Sequence, residues 1–524
     1  MPEARRLEID GHNLSLDQVA DAACGRAVVA LHLEARERAR LSYDAFSQLA
    51  SSEASVYGVN TGLGVFADRR VSVQQSAQLA RNLILSHAVG VGEPFSKHVV
   101  RAAVLVRANT LARGASGVRP ELIELLLELL NRGVTPVVPC QGSLGSSGDL
   151  APLAHVAIVL SEDPQPVPNG HSGQAWFADR LMTGEEAMHA AGLQRIVLTG
   201  KEALALTNGP AFAAALLGLA CHDAQQLLHV AELAAAMSFE ALLGVTAALD
   251  DRIHAERPHA GQRGVAERMR GLLHGSSLVD PAHRIQDAYS LRCIPQILGP
   301  AWDILGFAKD VVVRDINSAT DNPLIVDGTA ISGGNFHGEP LGLAADYLKI
   351  AFAEVGALAE RRTFRLTSEH TNAGLPPMLV ARPEEAGLRS GMMMLQYTAA
   401  SLVLENQHLA SPDSVYSLPT SGDQEDVNAN ATTACRHLRQ LLSNLESILA
   451  IELLCAAQAL DLRMQATPGA RLGEGNANAL ESIRAAVPFR ATDHPATEDI
   501  EAIRRIMEAG QLSGAARLAP EERS

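Results

Sequence analysis

Apolar side chains recur every three to four positions over long stretches of this chain, and from about residue 199 the stretches become unusually long. Windows 201–249, 340–366, 389–409 and 429–466 carry alanine and leucine at helical spacing well beyond ordinary helix length, even allowing for internal breaks. Helices of that length need partners to cover their apolar faces, so the pattern predicts a bundle of roughly parallel and antiparallel helices. The first two hundred residues read differently, as short helices separated by glycine turns. One helix is predicted over 120–132, with Pro120 in its first turn and Gly133 as its stop. Its acids Glu121, Glu124 and Glu128 share a face, and leucines fill most of the rest. Residues 134–139 read as a short extended approach and 150–160 as a buried helix. Segments 331–335 and 372–377, rich in glycine, proline and asparagine, read as loops able to carry function. The expected organisation is mainly α: a mixed N-terminal domain over 1–200, a long-helix bundle over 201–480 and a short helical appendage over 481–524.

Composition narrows the core and the partners. Hydrophobic residues make up 47% of the chain but aromatics only 4%, so the core must be aliphatic. A formal charge of −16 argues against nucleic acid or an acidic membrane as the main partner. Cys24, Cys140, Cys221, Cys293, Cys435 and Cys455 are scattered without a C-x-x-C pair, which reads as reduced, mostly buried thiols in a cytoplasmic protein. The opening residues lack an apolar run of leader type, so no secretory leader is expected. The longest apolar run, 211–221, is too short to span a bilayer. No H-E-x-x-H or clustered ligand set points to a metal, and His254 and His259 are too isolated to suggest zinc.

The most informative segment is Gln141-Gly142-Ser143-Leu144-Gly145-Ser146-Ser147-Gly148-Asp149-Leu150-Ala151-Pro152-Leu153. Taken alone, Asp149 reads as a helix N-cap with Pro152 in the first turn, or the loop as an anion site at a helix N-terminus. A second reading is chemical. Gly148 has no side chain to shield its amide nitrogen, which can bend back onto the carbonyl of Ser146. Loss of water from that ring and from Ser147 leaves an exocyclic methylidene, an electrophile that no ordinary side chain supplies.

The whole string closely resembles the signature of the histidine and aromatic amino-acid ammonia-lyases, where an Ala-Ser-Gly triplet usually cyclises to 4-methylideneimidazole-5-one. Here Ser146 stands where alanine is usual. The resemblance runs over nearly the whole chain and implies a fumarase/aspartase-like helical bundle and a homotetramer with active sites shared between subunits. Tyr57, in Tyr57-Gly58-Val59-Asn60-Thr61-Gly62-Leu63-Gly64, matches the family's catalytic base on a mobile inner loop. A phenol titrates near ~10, so such a base needs positive charge or hydrogen bonds to lower its pKa. Gln286-Asp287-Ala288-Tyr289-Ser290-Leu291-Arg292-Cys293 resembles the stretch whose arginine grips the substrate carboxylate, a task suited to forked guanidinium donors. On a helix, Gln286, Tyr289 and Arg292 would share a face. Asn208 matches a second polar contact near the carboxylate and the ring, although Pro210 follows where threonine is usual. Asn322 and Phe336 match pocket walls around the electrophile.

Two positions bear on the substrate. Ser86-His87 and Gln424-Glu425 resemble the histidine-type members, which implies L-histidine as substrate and trans-urocanate as product, with no external cofactor. A carboxylate accepts an imidazole N–H and a protein histidine serves the other nitrogen. Asp287-Ala288-Tyr289 and Arg292-Cys293-Ile294-Pro295 look closer to tyrosine-type members. Tyrosine or phenylalanine ammonia-lyase, or an aminomutase, therefore stays open, as does a non-catalytic binding protein on the same scaffold. The Gly-Ser-Ser-x-Met-Pro loop of the fumarase and aspartase group is absent.

Overall fold

The computed structural model describes residues 5–51, 61–62, 66, 69–165, 167, 170–282 and 284–512. The chain folds as two compact units, one built from residues 1–222, 308–346 and 412–436, the other from 223–307, 347–411 and 437–524. Helix dominates, as the hydrophobic periodicity requires. The long windows appear as Ala211–Ala241, Glu339–Thr367, Met393–Leu409 and Ala431–Ala466. The tract beginning at 201 is broken at Asn208-Gly209-Pro210, because proline has no N–H to donate there and Gly209 adopts a left-handed φ of 109°. The predicted helices Pro120–Arg132 and Leu150–Leu160 are both present, and Gly133 ends the former at φ 77°. The C-terminal stretch folds as Glu474–Ala486 and Thr497–Glu508. No helix among the described residues is long and apolar enough to cross a membrane.

All strands of the described residues lie in the first unit, in small ribbons that serve as struts. Arg5–Ile9 pairs in parallel with Ala27–Leu31, and Val91–Pro94 pairs antiparallel with Pro139–Gln141, which leads directly into the glycine-rich loop. The core of this unit is the helix Lys97–Ala112, buried on every side from Val99 onward. Its two arginines survive burial because their donors meet backbone carbonyls at helix ends and in loops. Arg101 donates to Ala22 O at 3.0 Å, Ala23 O at 3.1 Å and Leu130 O at 3.1 Å, the exposed C-terminal ends of helices Leu16–Ala23 and Pro120–Arg132.

The second unit has an aliphatic core threaded by one buried ion pair. Arg362 donates to both oxygens of Glu452, at 2.6 and 2.8 Å, and Ser238 donates to the same carboxylate at 2.7 Å. This ties three long helices at one level. Arg463 closes the end of Ala211–Ala241 by donating to Ala241 O at 3.0 Å. Three of the six free cysteines, Cys221, Cys435 and Cys455, are buried, whereas Cys24 is exposed. The expectation of mostly buried thiols therefore holds for half of them.

Candidate active site

The loop from Gly142 to Gly148 is held by its neighbours rather than by its own backbone. Gly145 O accepts from Gly338 N at 3.2 Å, and Leu144 O accepts from Asn430 N at 2.8 Å. The main anchor is Asp149, fully buried. Its Oδ2 accepts from Phe212 N at 2.8 Å and Ala213 N at 3.0 Å, the unpaired amides at the start of helix Ala211–Ala241. Its Oδ1 accepts from Ser143 Oγ at 2.8 Å and from Thr432 Oγ1. Asp149 precedes Leu150–Leu160 but makes no side-chain bond to that helix. It caps the amides of a different one. Burial pushes its carboxyl above the usual range, and these four donors pull it back.

The Ser146-Ser147-Gly148 triplet sits against Asn208-Gly209. Ser147 O accepts twice, from Asn208 Nδ2 at 2.8 Å and from Gly209 N at 3.0 Å, and Asp149 N donates to Gly209 O at 2.9 Å. Gly148, at φ 81°, lies so close that a Cβ there would come within 2.2 Å of the Gly209 backbone. Ser146 and Gly148 are buried, and Ser147 between them is half-buried. Asn208 is itself held from behind. Arg107, on the central helix, donates to Asn208 O and, at 3.3 Å, to Thr320 O, so one guanidinium bolts two loops together. Burial lowers its pKa to about 10. Beside it Lys201 and Asp321 form an ion pair with both side chains at 0% exposure.

On the other side of the triplet, Ser146 Oγ donates to Glu425 Oε2 at 2.7 Å. Glu425 stands on a tight turn in which Thr420 N donates to Glu425 O at 2.8 Å and Glu425 N to Thr420 O at 3.2 Å. Gln424, next to it, is exposed. His87 is the last residue of helix Ser76–His87, and its Nδ1 lies 2.8 Å from Leu83 O and 3.0 Å from Ser86 Oγ. The ring is satisfied by Nδ1–H donated to Leu83 O, which the Ser86 hydroxyl also reaches at 3.1 Å, and Nε2 is left for a further partner. Burial holds His87 below its usual 6.5, opposed by the Leu83 bond and by the charge of Glu425.

Asn322 Oδ1 accepts from Gly333 N at 2.8 Å, which closes the loop after Thr320-Asp321. Phe336 is half-buried in the turn before Gly338. In the second unit Arg292 donates to Gln286 Oε1 at 2.9 Å and stacks over the Tyr289 ring, 4.9 Å to its centroid. The three residues do meet, but not as neighbours on one helix. Only Tyr289–Arg292 is helical, and Gln286 reaches back from the preceding loop. The reason is Asp287, whose carboxylate is drawn away to Val245 N at 2.6 Å and Arg284 Nη1 at 3.1 Å. Tyr57 lies outside the described residues.

With this geometry in view, the comparison with known proteins is direct. Residues 14–485 match the family described as aromatic amino acid lyase. This chain belongs to that family. A histidine ammonia-lyase of Gloeobacter violaceus is 46% identical over 97% of this chain and 96% of its own length. Among solved structures, tyrosine aminomutase from Streptomyces globisporus superposes with a TM-score of 0.90 at 35% identity, covering 97% of this chain and 98% of that one. Histidine ammonia-lyase from Trypanosoma cruzi superposes at 0.89 and 34% identity, covering 99% and 96%. The mainly helical lyase fold expected from the sequence is the one observed.

As a member of the aromatic amino acid lyase family the chain also shows groups that sequence reasoning passed over. Arg107, Lys201, Asp321 and Thr432 all support the triplet or the loop against it. Arg107 stands out in hindsight as a cation inside a largely apolar helical stretch, a signal that a buried partner exists. Nothing in the sequence says which residue that partner is.

Proposed function

We propose that this chain is a histidine ammonia-lyase, which eliminates ammonia from L-histidine to give trans-urocanate. The observation that carries the reading is the joining of Glu425 to Ser146, beside the triplet, with His87 within reach of the same charge. The near-full-length likeness to a protein named histidine ammonia-lyase supports it.

The residues present fit a 4-methylideneimidazole-5-one ring made from Ser146, Ser147 and Gly148. Gly148 lacks a Cβ and has no room for one, and the Ser147 carbonyl is fixed by two donors. Such a ring supplies an electrophilic alkene carbon that lets the substrate amine depart. The chain's own side chains do the rest. Arg292 holds the carboxylate through its forked donors, with Gln286 and Tyr289 fixing its plane. Asn208 supports the ring segment and offers its remaining polar edge near the carboxylate. One Nδ2 hydrogen is committed to Ser147 O, and the second is the donor left for the carboxylate. Glu425 accepts the imidazole N–H, and His87 serves the other nitrogen through Nε2. Tyr57 removes the Cβ proton as the Cα–N bond breaks, leaving the Cα–Cβ double bond. Asn322 and Phe336 wall the pocket, and Gln424 flanks Glu425 on its turn. Phenylalanine would leave Glu425 and His87 desolvated and unpaired, which disfavours it.

We infer a homotetramer whose sites draw on several copies. Tyr289 is 70% exposed in the single chain, an unusual state for an aromatic ring beside a substrate-gripping arginine. Sedimentation showing an active monomer would remove that inference. The activity itself is tested by intact mass and turnover together. Wild type is expected to weigh about 36 Da less than its sequence, two waters, and to raise urocanate absorbance from histidine. Ser147→Ala is expected to keep its full mass and lose turnover by at least ~1,000-fold. Coumarate from tyrosine or cinnamate from phenylalanine, with none from histidine, would replace the substrate.

A further inference from the structure

We propose that Ser146 is a positioning residue: its hydroxyl, which ring closure does not consume, fixes the Glu425 carboxylate for an imidazole N–H. This rests on the histidine reading above. Closure of the triplet uses only the carbonyl carbon of Ser146, so a methyl side chain would serve the ring equally well, and relatives resembled by this chain usually carry alanine. The hydroxyl is therefore surplus to the electrophile. It is nonetheless committed: Ser146 is 6% exposed and its Oγ lies 2.7 Å from Glu425 Oε2, across 279 positions of sequence.

The partner is prepared for the same purpose. The backbone of Glu425 is locked by two hydrogen bonds with Thr420, around a turn in which Ser421, Gly422 and Asp423 hold φ of 52°, 61° and 64°. The Thr420 hydroxyl adds a third bond to Glu425 O at 3.2 Å. What remains free in Glu425 is its side chain, with three torsions. Ser146 removes that freedom by taking one carboxylate oxygen and leaving Oε1 to accept from a ligand. A carboxylate fixed before binding loses less entropy when the ligand arrives, so the gain falls on affinity. The contact also sets register. The residue that orients the side-chain partner adjoins the residue at which the amine is lost, so the distance between an N–H donor and an alpha amine is measured along one peptide unit.

The test is a double-mutant cycle on the full-length enzyme with Ser146→Ala, Glu425→Gln and both together, read by intact mass and by separate KM and kcat for histidine. Ser146→Ala is expected to lose the same two waters as wild type, to raise KM about 5- to 10-fold, and to change kcat by less than about 2-fold. In the Glu425→Gln background the same replacement is expected to have almost no further effect. An unchanged KM in Ser146→Ala would overturn the proposal. So would an equal cost in both backgrounds, or a variant that fails to lose water, since each assigns Ser146 to something other than Glu425. A wild type that deaminates tyrosine and not histidine overturns the substrate reading first, and is seen before any variant is made.

Discussion

Two stretches bear on the proposed chemistry, and they are built in opposite ways. The triplet segment, 143–149, is clamped by buried groups: Asp149 with four donors, Asn208 and Gly209 on one carbonyl, Arg107 and the Lys201–Asp321 pair behind them. The segment from Ile285 to Arg292 is anchored at Asp287 and Leu291, which are buried, and is open between them and at its start. Ile285 is 94% exposed and Tyr289 70%, and Arg292 is held by one side-chain bond and one stacked ring. The difference separates two demands. A backbone that must react with itself needs its geometry settled by folding. A cation that must release a product carboxylate at every turnover needs only orientation, and can leave its covering to another surface.

That contrast predicts how damage should divide between stability and activity. The largest loss is expected at Lys201→Met, which leaves Asp321 buried without its cation and should cost about 3–5 kcal/mol in denaturant unfolding. Asp149→Asn should cost about 1–3 kcal/mol, because an amide nitrogen then faces donors, and intact mass should show incomplete loss of water. Arg292→Gln should leave the unfolding midpoint within about 0.5 kcal/mol of wild type while KM for the amino acid rises at least ~10-fold. If Arg292→Gln destabilised as much as Asp149→Asn, the contrast would fail.

The smallest effect concerns pH. Burial lowers the His87 pKa in the folded chain, so the folded state binds fewer protons than the unfolded one below pH 6.5. The stability this contributes is present above pH 6.5 and lost as pH falls through the lowered value. His87→Gln should flatten that part of the stability profile on acid titration and leave the rest unchanged.

How far the sequence revealed this follows from the range of each interaction. The helices were legible because their signals are local: Pro120 and Gly133 bracket one, and the periodicity of 150–160 gives another with the observed ends. The long tract from 201 was expected to contain internal breaks without their positions, and Asn208 was placed near the ring by resemblance alone. Its role against Ser147 depends on a contact 61 residues away. Asp149 looked like a cap for its own helix, because capping is ordinarily local, and instead caps amides 63 and 64 positions on. Gln286 was placed on a helix by spacing alone. The pull of Val245 N on Asp287, 42 positions away, keeps that stretch out of helical geometry.

Gly148 and Gly209 touch through bare backbone, with no space for a methyl group on either. The proposed ring is therefore specified at two addresses in the gene. A methyl group on residue 209 would collide with Thr320 O and Arg107 Nη1, so Gly209→Ala should disturb the support behind Ser147 and impair turnover, although residue 209 is no part of the triplet.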